Sequence, residues 1–413
     1  MIRATLAIAC IALAAVPAAA ADWPRFLGPS ADGISPETGI NKDWKARPPK
    51  ALWDFPLEDR GHAGPAVAGG IVYIVDHKGE DDVVRALDLG TGKEVWTFAY
   101  PESKQEDNGH ARATPLVDDG RVYTVSRFGL VNCLQAKTGA KVWSRDIVKD
   151  FNGRPPTWGI AMSPVVDGDK LIVCPGGANA SVVALNKTTG ETIWQGGGSY
   201  TGKTGLGYAT PVIATLIGKK QYVVFMGTHL TGVDAENGKE LWKLPWFAVQ
   251  STATPLIVGD DTVFITSWYE NRKACALVKV SADGPRVIWE NTSIMAKMAT
   301  PVLYKGFIYG GNGSTGNLVC IDAKTGEIRW QQPGFEHGGL VAADGVLLAL
   351  DGKSGDLVMV EMTPERYNEL GRVQPLRYRG GGGVRGNVWT APIIADGKAI
   401  IRDRNRLMCL DLK

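Results

Sequence analysis

The stretch ALDLGTGKEVW, residues 86–96, reads as an apolar strand, a tight turn at Thr91-Gly92 and a second strand ending in Trp96. The phrase returns as CLQAKTGAKVW (133–143), ALNKTTGETIW (184–194), GVDAENGKELW (232–242) and CIDAKTGEIRW (320–330), with a worn copy, KVSADGPRVIW, ending at Trp289. The tryptophans are spaced 41 to 51 residues apart. A phrase repeated at that period is one supersecondary unit copied around a ring or along a stack, and forty-odd residues fit a four-stranded propeller blade.

Working outward, each unit opens on a short strand led by proline, as in ATPLVDDG at 113 and ATPVLYKG at 299. Proline is tolerated there because its missing N–H falls outside the ladder. Eight openings can be counted, at Pro65, Pro115, Pro164, Pro211, Pro255, Pro301, Leu340 and Pro392. The eighth unit stops at RLMCLDLK, after its third strand, and KALWDFPL (50–57) is available at the other end of the chain to supply the fourth. The expectation is an all-β, eight-bladed propeller over residues 50–413, closed by pairing the N-terminal strand with the C-terminal one so that no edge is left open. Trp53, Trp96, Trp143, Trp194, Trp242, Trp289 and Trp330 are then blade-docking residues. The seventh unit lacks both the Thr-Gly turn and the tryptophan.

The ends are different material. Arg3, an apolar run to Val16 and PAAAA (17–21) read as a secretory signal covering residues 1–21. Cys10 is not read as a lipidated residue, because the apolar run continues well past it. No other segment approaches the length of a membrane-spanning helix, so the expected product is exported, soluble, and periplasmic or extracellular. Residues 22–49 form a Pro/Gly-rich arm, packed by Trp23, Phe26 and Trp44. Net charge is +2 with no Lys/Arg-rich block, which excludes an electrostatic footprint for nucleic acid. Cys133, Cys320 and Cys409 occupy one repeat position that elsewhere holds Ala86, Ala184 or Gly232, so they are packing residues; Cys133 with Cys174 is the one pair placed to bridge neighbouring units.

The repeat A/C-x-D-x-x-T-G-x-x-x-W resembles the pyrroloquinoline-quinone-type (PQQ-like) propeller repeat over residues 50–413. Within that superfamily, eight blades, an export signal and little decoration are similar to the BamB-type propeller subunit of the outer-membrane β-barrel assembly machinery. The arm WPRFLGPSADGIS also resembles the start of many exported propellers of this superfamily. The resemblance implies a non-enzymatic scaffold that binds protein partners in the cell envelope. It does not carry over the quinone: quinoprotein dehydrogenases pair vicinal cysteines with a Glu/Asn/Asp calcium set, and neither can be assigned here.

Chemistry, if present, belongs at the channel mouth. Three residues before each opening position stand His62, Arg112, Ala161, Tyr208, Thr252, Met298, His337 and Trp389. If the strands alternate, Arg60, His110, Gly159, Leu206, Gln250, Ala296, Phe335 and Asn387 form a second layer facing the same way. His77 and His229 fall in loops between second and third strands near the same end. The ligand-ring candidates are therefore His62, His110, Arg112, Tyr208, Gln250, His337, Asn387 and Trp389. They suit an acidic or sugar-like ligand stacked on Trp389, or a metal on two or three histidines, although no tight ligand spacing marks one. They equally suit a mouth that is merely wet. His62 or His337 beside Arg112 is the arrangement to test for a general base. The run RGGGGVRGN (379–387) reads as a mouth loop, since it lacks the strand–helix context of a dinucleotide site.

Overall fold

The computed structural model describes residues 21–58, 60–102, 109–198, 205–248, 250–268, 274–377 and 388–413. The secretory-signal reading therefore lies outside the described residues apart from Ala21, as do Asn387 and the glycine run at 379–387.

Eight antiparallel sheets make up the ring. Blade one is built from Ala66–Ala68, Ile71–Lys78, Asp81–Asp88 and Glu94–Pro101. Blades two to six repeat that order. Blade eight comprises Ile393–Ala395, Lys398–Arg402 and Arg406–Asp411, and its outer strand is Ala51–Pro56 from the start of the chain. Trp53 pairs with Cys409 and Phe55 with Leu407, so the ring closes as the sequence anticipates.

The repeat phrase now has a physical account. In every blade the pairing of third and outer strands slips by one residue just before the tryptophan position. This β-bulge leaves Val95, Val142, Ile193, Ile288 and Leu52 exposed and turns the next side chain, the tryptophan, toward the neighbouring blade. Trp53 Nε1 donates to Leu89 O (2.8 Å), Trp96 to Ala136 O (2.9 Å) and Trp143 to Lys187 O (3.1 Å), each in the following blade. Trp242 departs from this rule and donates to Gln221 Oε1 within its own blade (2.6 Å). Ala86, Cys133, Ala184, Gly232, Cys320 and Cys409 lie directly opposite the tryptophans across the ladder, which is why that position is small. Cys133, Cys174, Cys275, Cys320 and Cys409 are all free and buried, so the Cys133–Cys174 bridge is not formed.

Blade seven is the exception that the sequence left unexplained. Gly371 occupies the tryptophan position, opposite Met359. Trp44 of the arm, 2% exposed, fills the vacancy: a Cβ on Gly371 would lie 2.4 Å from Trp44 Cβ. Asn41 N donates to Leu412 O (2.8 Å), the carbonyl equivalent to those taken by tryptophan indoles elsewhere. The arm also adds Ile34–Ser35 as a fifth strand, parallel to the inner strand Leu340–Ala343. Blade seven is thus five-stranded, where four were expected.

Earlier in its course the arm crosses the channel. Trp23 exchanges two backbone hydrogen bonds with Val67 of blade one (2.9 and 2.8 Å), and Val117 N of blade two donates to Pro24 O (2.7 Å). Val67 and Val117 are the middle residues of their inner strands, past the mouth segments that precede each proline.

Candidate functional site

The inner strands surround a central cavity of about 280 Å3. Trp23, Phe26 and Leu27 of the arm are among its lining, together with His62, Arg112, Ala161, Tyr208, Thr252, Met298 and Trp389 from the segments leading into the inner strands. The arm bonds to those strands beyond the mouth segments, so the channel becomes a chamber with a floor.

Of the first predicted layer, only His337 is absent from that lining. Its backbone is left-handed (φ 55°) and its ring meets the edge of Trp268. Its Nδ1 is buried without a hydrogen-bond partner among the described residues. Of the described residues of the second layer, Gln250 alone lines the chamber. The alternation argument fails because these segments are not strand: the inner strands begin only after the proline, and Arg60, Gly109, Gly159 and Gly207 all have positive φ. The residue just before the proline, which the two-layer expectation does not include, also reaches the chamber. Thr114, Ser163, Thr210 and Thr300 all line the chamber, and the recurrent Thr-Pro and Ser-Pro dipeptides would have signalled it. Thr114 N donates to Ser163 Oγ (2.9 Å), Ser163 N to Thr210 Oγ1 (3.0 Å) and Thr254 N to Thr300 Oγ1 (3.0 Å), tying neighbouring blades together.

The histidines do not form one arc. His62 stacks on Trp389, ring centroids 4.6 Å apart, and Thr390 Oγ1 donates to its carbonyl (3.0 Å). Burial, then Arg402, Arg404 and Arg112, lowers the His62 pKa to about 3. His110 stacks instead on His77 at 3.4 Å, and burial, then His77 and Arg127, lowers it to about 4. His77 and His229 are not in loops: His77 lies within Ile71–Lys78 and His229 begins His229–Asp234. His77 donates Nε2–H to Gly79 O (2.8 Å), while its Nδ1 lies 2.9 Å from Asp82 Oδ1. Burial raises Asp82 to about 6, and Tyr100 OH donates to its other oxygen (3.3 Å). A carbonyl oxygen can only accept, so His77 Nε2 carries the hydrogen given to Gly79 and its Nδ1 faces Asp82.

His77, Asp82 and His110 bring ligand atoms within 4.8 Å of one another. Their arrangement does not fit a divalent cation. Two rings stacked 9° from parallel direct their lone pairs side by side, both His77 nitrogens are engaged, and the Arg127 guanidinium stands 3.4 Å from His110 Nδ1.

On the opposite side, the Tyr208 ring lies tilted against Trp158, centroids 5.8 Å apart, and Trp158 N donates to Tyr208 Oη (3.4 Å). Lys297 Nζ lies 5.0 Å over the Trp268 ring, and Thr252 Oγ1 donates to Lys297 O (2.5 Å). Gln250 Oε1 is buried with no partner among the described residues.

Fold and repeat define an eight-bladed propeller of the PQQ-like class. The family model described as outer membrane protein assembly factor BamB matches residues 43–106 and 80–332, and the chain belongs to that family. BamB of Yersinia pestis is 25% identical over 79% of this chain and 82% of its own length, and BamB of Escherichia coli (strain K12) is 26% identical over 72% and 83%. A quinoprotein ethanol dehydrogenase of Pseudomonas aeruginosa is 25% identical over 57% of this chain, which spans only 42% of that enzyme. Among solved structures, BamB from Moraxella catarrhalis superposes with a TM-score of 0.63, covering 88% of this chain and 99% of its own at 15% identity. A europium-containing methanol dehydrogenase gives 0.60, covering 92% and 89%, also at 15%. Likenesses at 15% identity concern the fold.

Proposed function

We propose that this chain is an exported, non-enzymatic scaffold that engages protein partners in the cell envelope, as the name of its assembly-factor relatives implies for them. The observation that carries this reading is end-to-end correspondence: the chain aligns with four-fifths of the assembly factor but with less than half of the dehydrogenase. The mouth is consistent with it. His62 and His110 are held in stacks and kept neutral by burial and nearby guanidinium groups, which ill suits a general base that must gain a proton.

The test is in-cell photo-crosslinking from exposed rim positions such as Arg60, followed by identification of the adducts. Outer-membrane or assembly proteins are the expected adducts. Dye-linked oxidation of primary alcohols by the purified protein, with no envelope adduct, would overturn the scaffold reading. Export is checked separately by the N-terminal residue of the secreted form, expected at Ala21 or Asp22.

A further inference from the structure

Glu37 of the arm is a carboxylate with little to balance it. The residue is 6% exposed, and a carboxylate taken out of water needs an opposite charge or several hydrogen bonds. Its Oε2 has Lys413 Nζ 3.9 Å away, too far for a hydrogen bond and on a side chain half in solvent, so that contact is worth little. Its Oε1 accepts from Ala21 N (3.2 Å). Residue 21 is fixed there by its neighbours. Asp396 N of blade eight donates to Ala21 O (3.3 Å), and Trp23 pairs with Val67 of blade one. The nearby acids are engaged elsewhere, Asp22 by Gly69 N (3.1 Å) and Asp396 by Lys398 Nζ (2.7 Å). As part of an amide, Ala21 N brings Glu37 one hydrogen and no charge. The sequence around it reads PAAAAD over residues 17–22. A signal peptidase needs small residues one and three places before its cut. Ala20 and Ala18 meet that need for a cut before Ala21, and Ala21 and Ala19 meet it for a cut before Asp22, so the motif alone does not choose.

We infer that the chain is cut between Ala20 and Ala21 and that Glu37 is the receptor for the amino terminus so made. Hydrolysis of that amide by water, the reaction of a signal peptidase, leaves a carboxylate on Ala20 and an ammonium on Ala21. One N–H of the ammonium keeps the bond to Glu37 Oε1, and the others face solvent, since Ala21 is only partly buried. The bond becomes charge-assisted, and the buried carboxylate gains the opposite charge it lacked. A cut one residue later would instead remove the nitrogen that Glu37 holds. Positions 21 and 37 bracket Trp23, Phe26 and Leu27, so removal of the leader also clasps the loop that carries the chamber floor. The inference rests on the export reading for the cut, but not for the role of Glu37.

The experiment has two arms. In the first, the intact mass of the exported protein gives its first residue, expected to be Ala21; a chain that begins at Asp22 would overturn the cut. In the second, the folded chain made to begin at Ala21 is treated with acetic anhydride at neutral pH, and acetylation of its α-amine is followed by peptide mass spectrometry. The same is done for its Glu37→Gln variant and for a chain carrying Gly-Ser ahead of Ala21. The natural chain is expected to react about tenfold more slowly than either, because a carboxylate within hydrogen-bond reach holds the amine in its unreactive protonated form. Equal rates in all three would overturn the receptor. Should Glu37→Gln not fold, as its melting curve would show, the Gly-Ser chain decides alone, since its extension leaves Glu37 in place and moves only the amine. A protein that stays in the cell with residues 1–20 attached would overturn the export reading and the cut with it, whereas the acetylation rates judge Glu37 in either case.

Discussion

At Gly139 the backbone is left-handed (φ 72°), and a Cβ there would lie 2.5 Å from the Trp96 ring of the preceding blade. Gly92, Gly190, Gly238 and Gly326 meet Trp53, Trp143, Trp194 and Trp289 in the same way. The Thr-Gly dipeptide is thus fixed twice, by the turn and by the indole laid on it. Gly139→Ala should cost about 2–4 kcal/mol, combining positive φ with overpacking, measured as a shift in urea midpoint at unchanged m-value. The sequence carried the first reason but not the second, because the indole comes from a neighbouring repeat. Protonation is a second residue-scale matter. His62, His110 and His229 have folded pKa values of about 3, 4 and 4 against an ordinary 6.5. Below pH 6.5 the unfolded chain takes up protons that these folded histidines refuse, so stability present at pH 7 is lost as pH falls toward 4. Asp82, raised to about 6, acts with the opposite sign over part of that range. Urea midpoints should therefore fall between pH 6.5 and 4, and His229→Asn should flatten the decline. A midpoint that rises on acidification would contradict this.

Among the elements, the arm changed most between sequence and structure. Its composition marks it as non-repetitive, and its Trp23 and Trp44 are buried. Its destination was illegible, because nothing local to Trp44 records that blade seven has Gly371 where its own indole belongs. The two facts sit more than 300 residues apart and become one only in space. Trp44→Ala should accordingly cost as much as Trp96→Ala, about 3–5 kcal/mol for an aromatic lost from a packed site, measured by denaturant unfolding of both variants. A cost under 1 kcal/mol would mean that the arm is peripheral. The mouth segments show the reverse failure. Position relative to proline located seven chamber residues correctly, including His62, Arg112, Tyr208 and Trp389, because that count rests on the repeat. Extending it by strand alternation misplaced His110, which left-handed residues such as Gly109 turn toward His77.

For the whole molecule, stability rests on packing among eight blades, and the five cysteines among the described residues are free and sealed inside. Burial pushes Cys174, Cys275, Cys320 and Cys409 up to about 12, where no reactive thiolate forms. A reducing agent should leave the melting temperature unchanged, and a thiol reagent should react only after denaturant is added. Deleting residues 405–413 removes the whole partner strand of Ala51–Pro56, Arg406–Asp411, and should abolish cooperative unfolding; a truncated chain that melts like the full one would refute the closure. That clasp also imposes a timetable. Blades one to six can each form as their own residues emerge, since their strands are consecutive in the chain. Residues 34–56 cannot settle, because their partners in blades seven and eight are among the last to be made. That early stretch is therefore the last to find its place, and until the final strand arrives, blade one's docking face waits without Trp53.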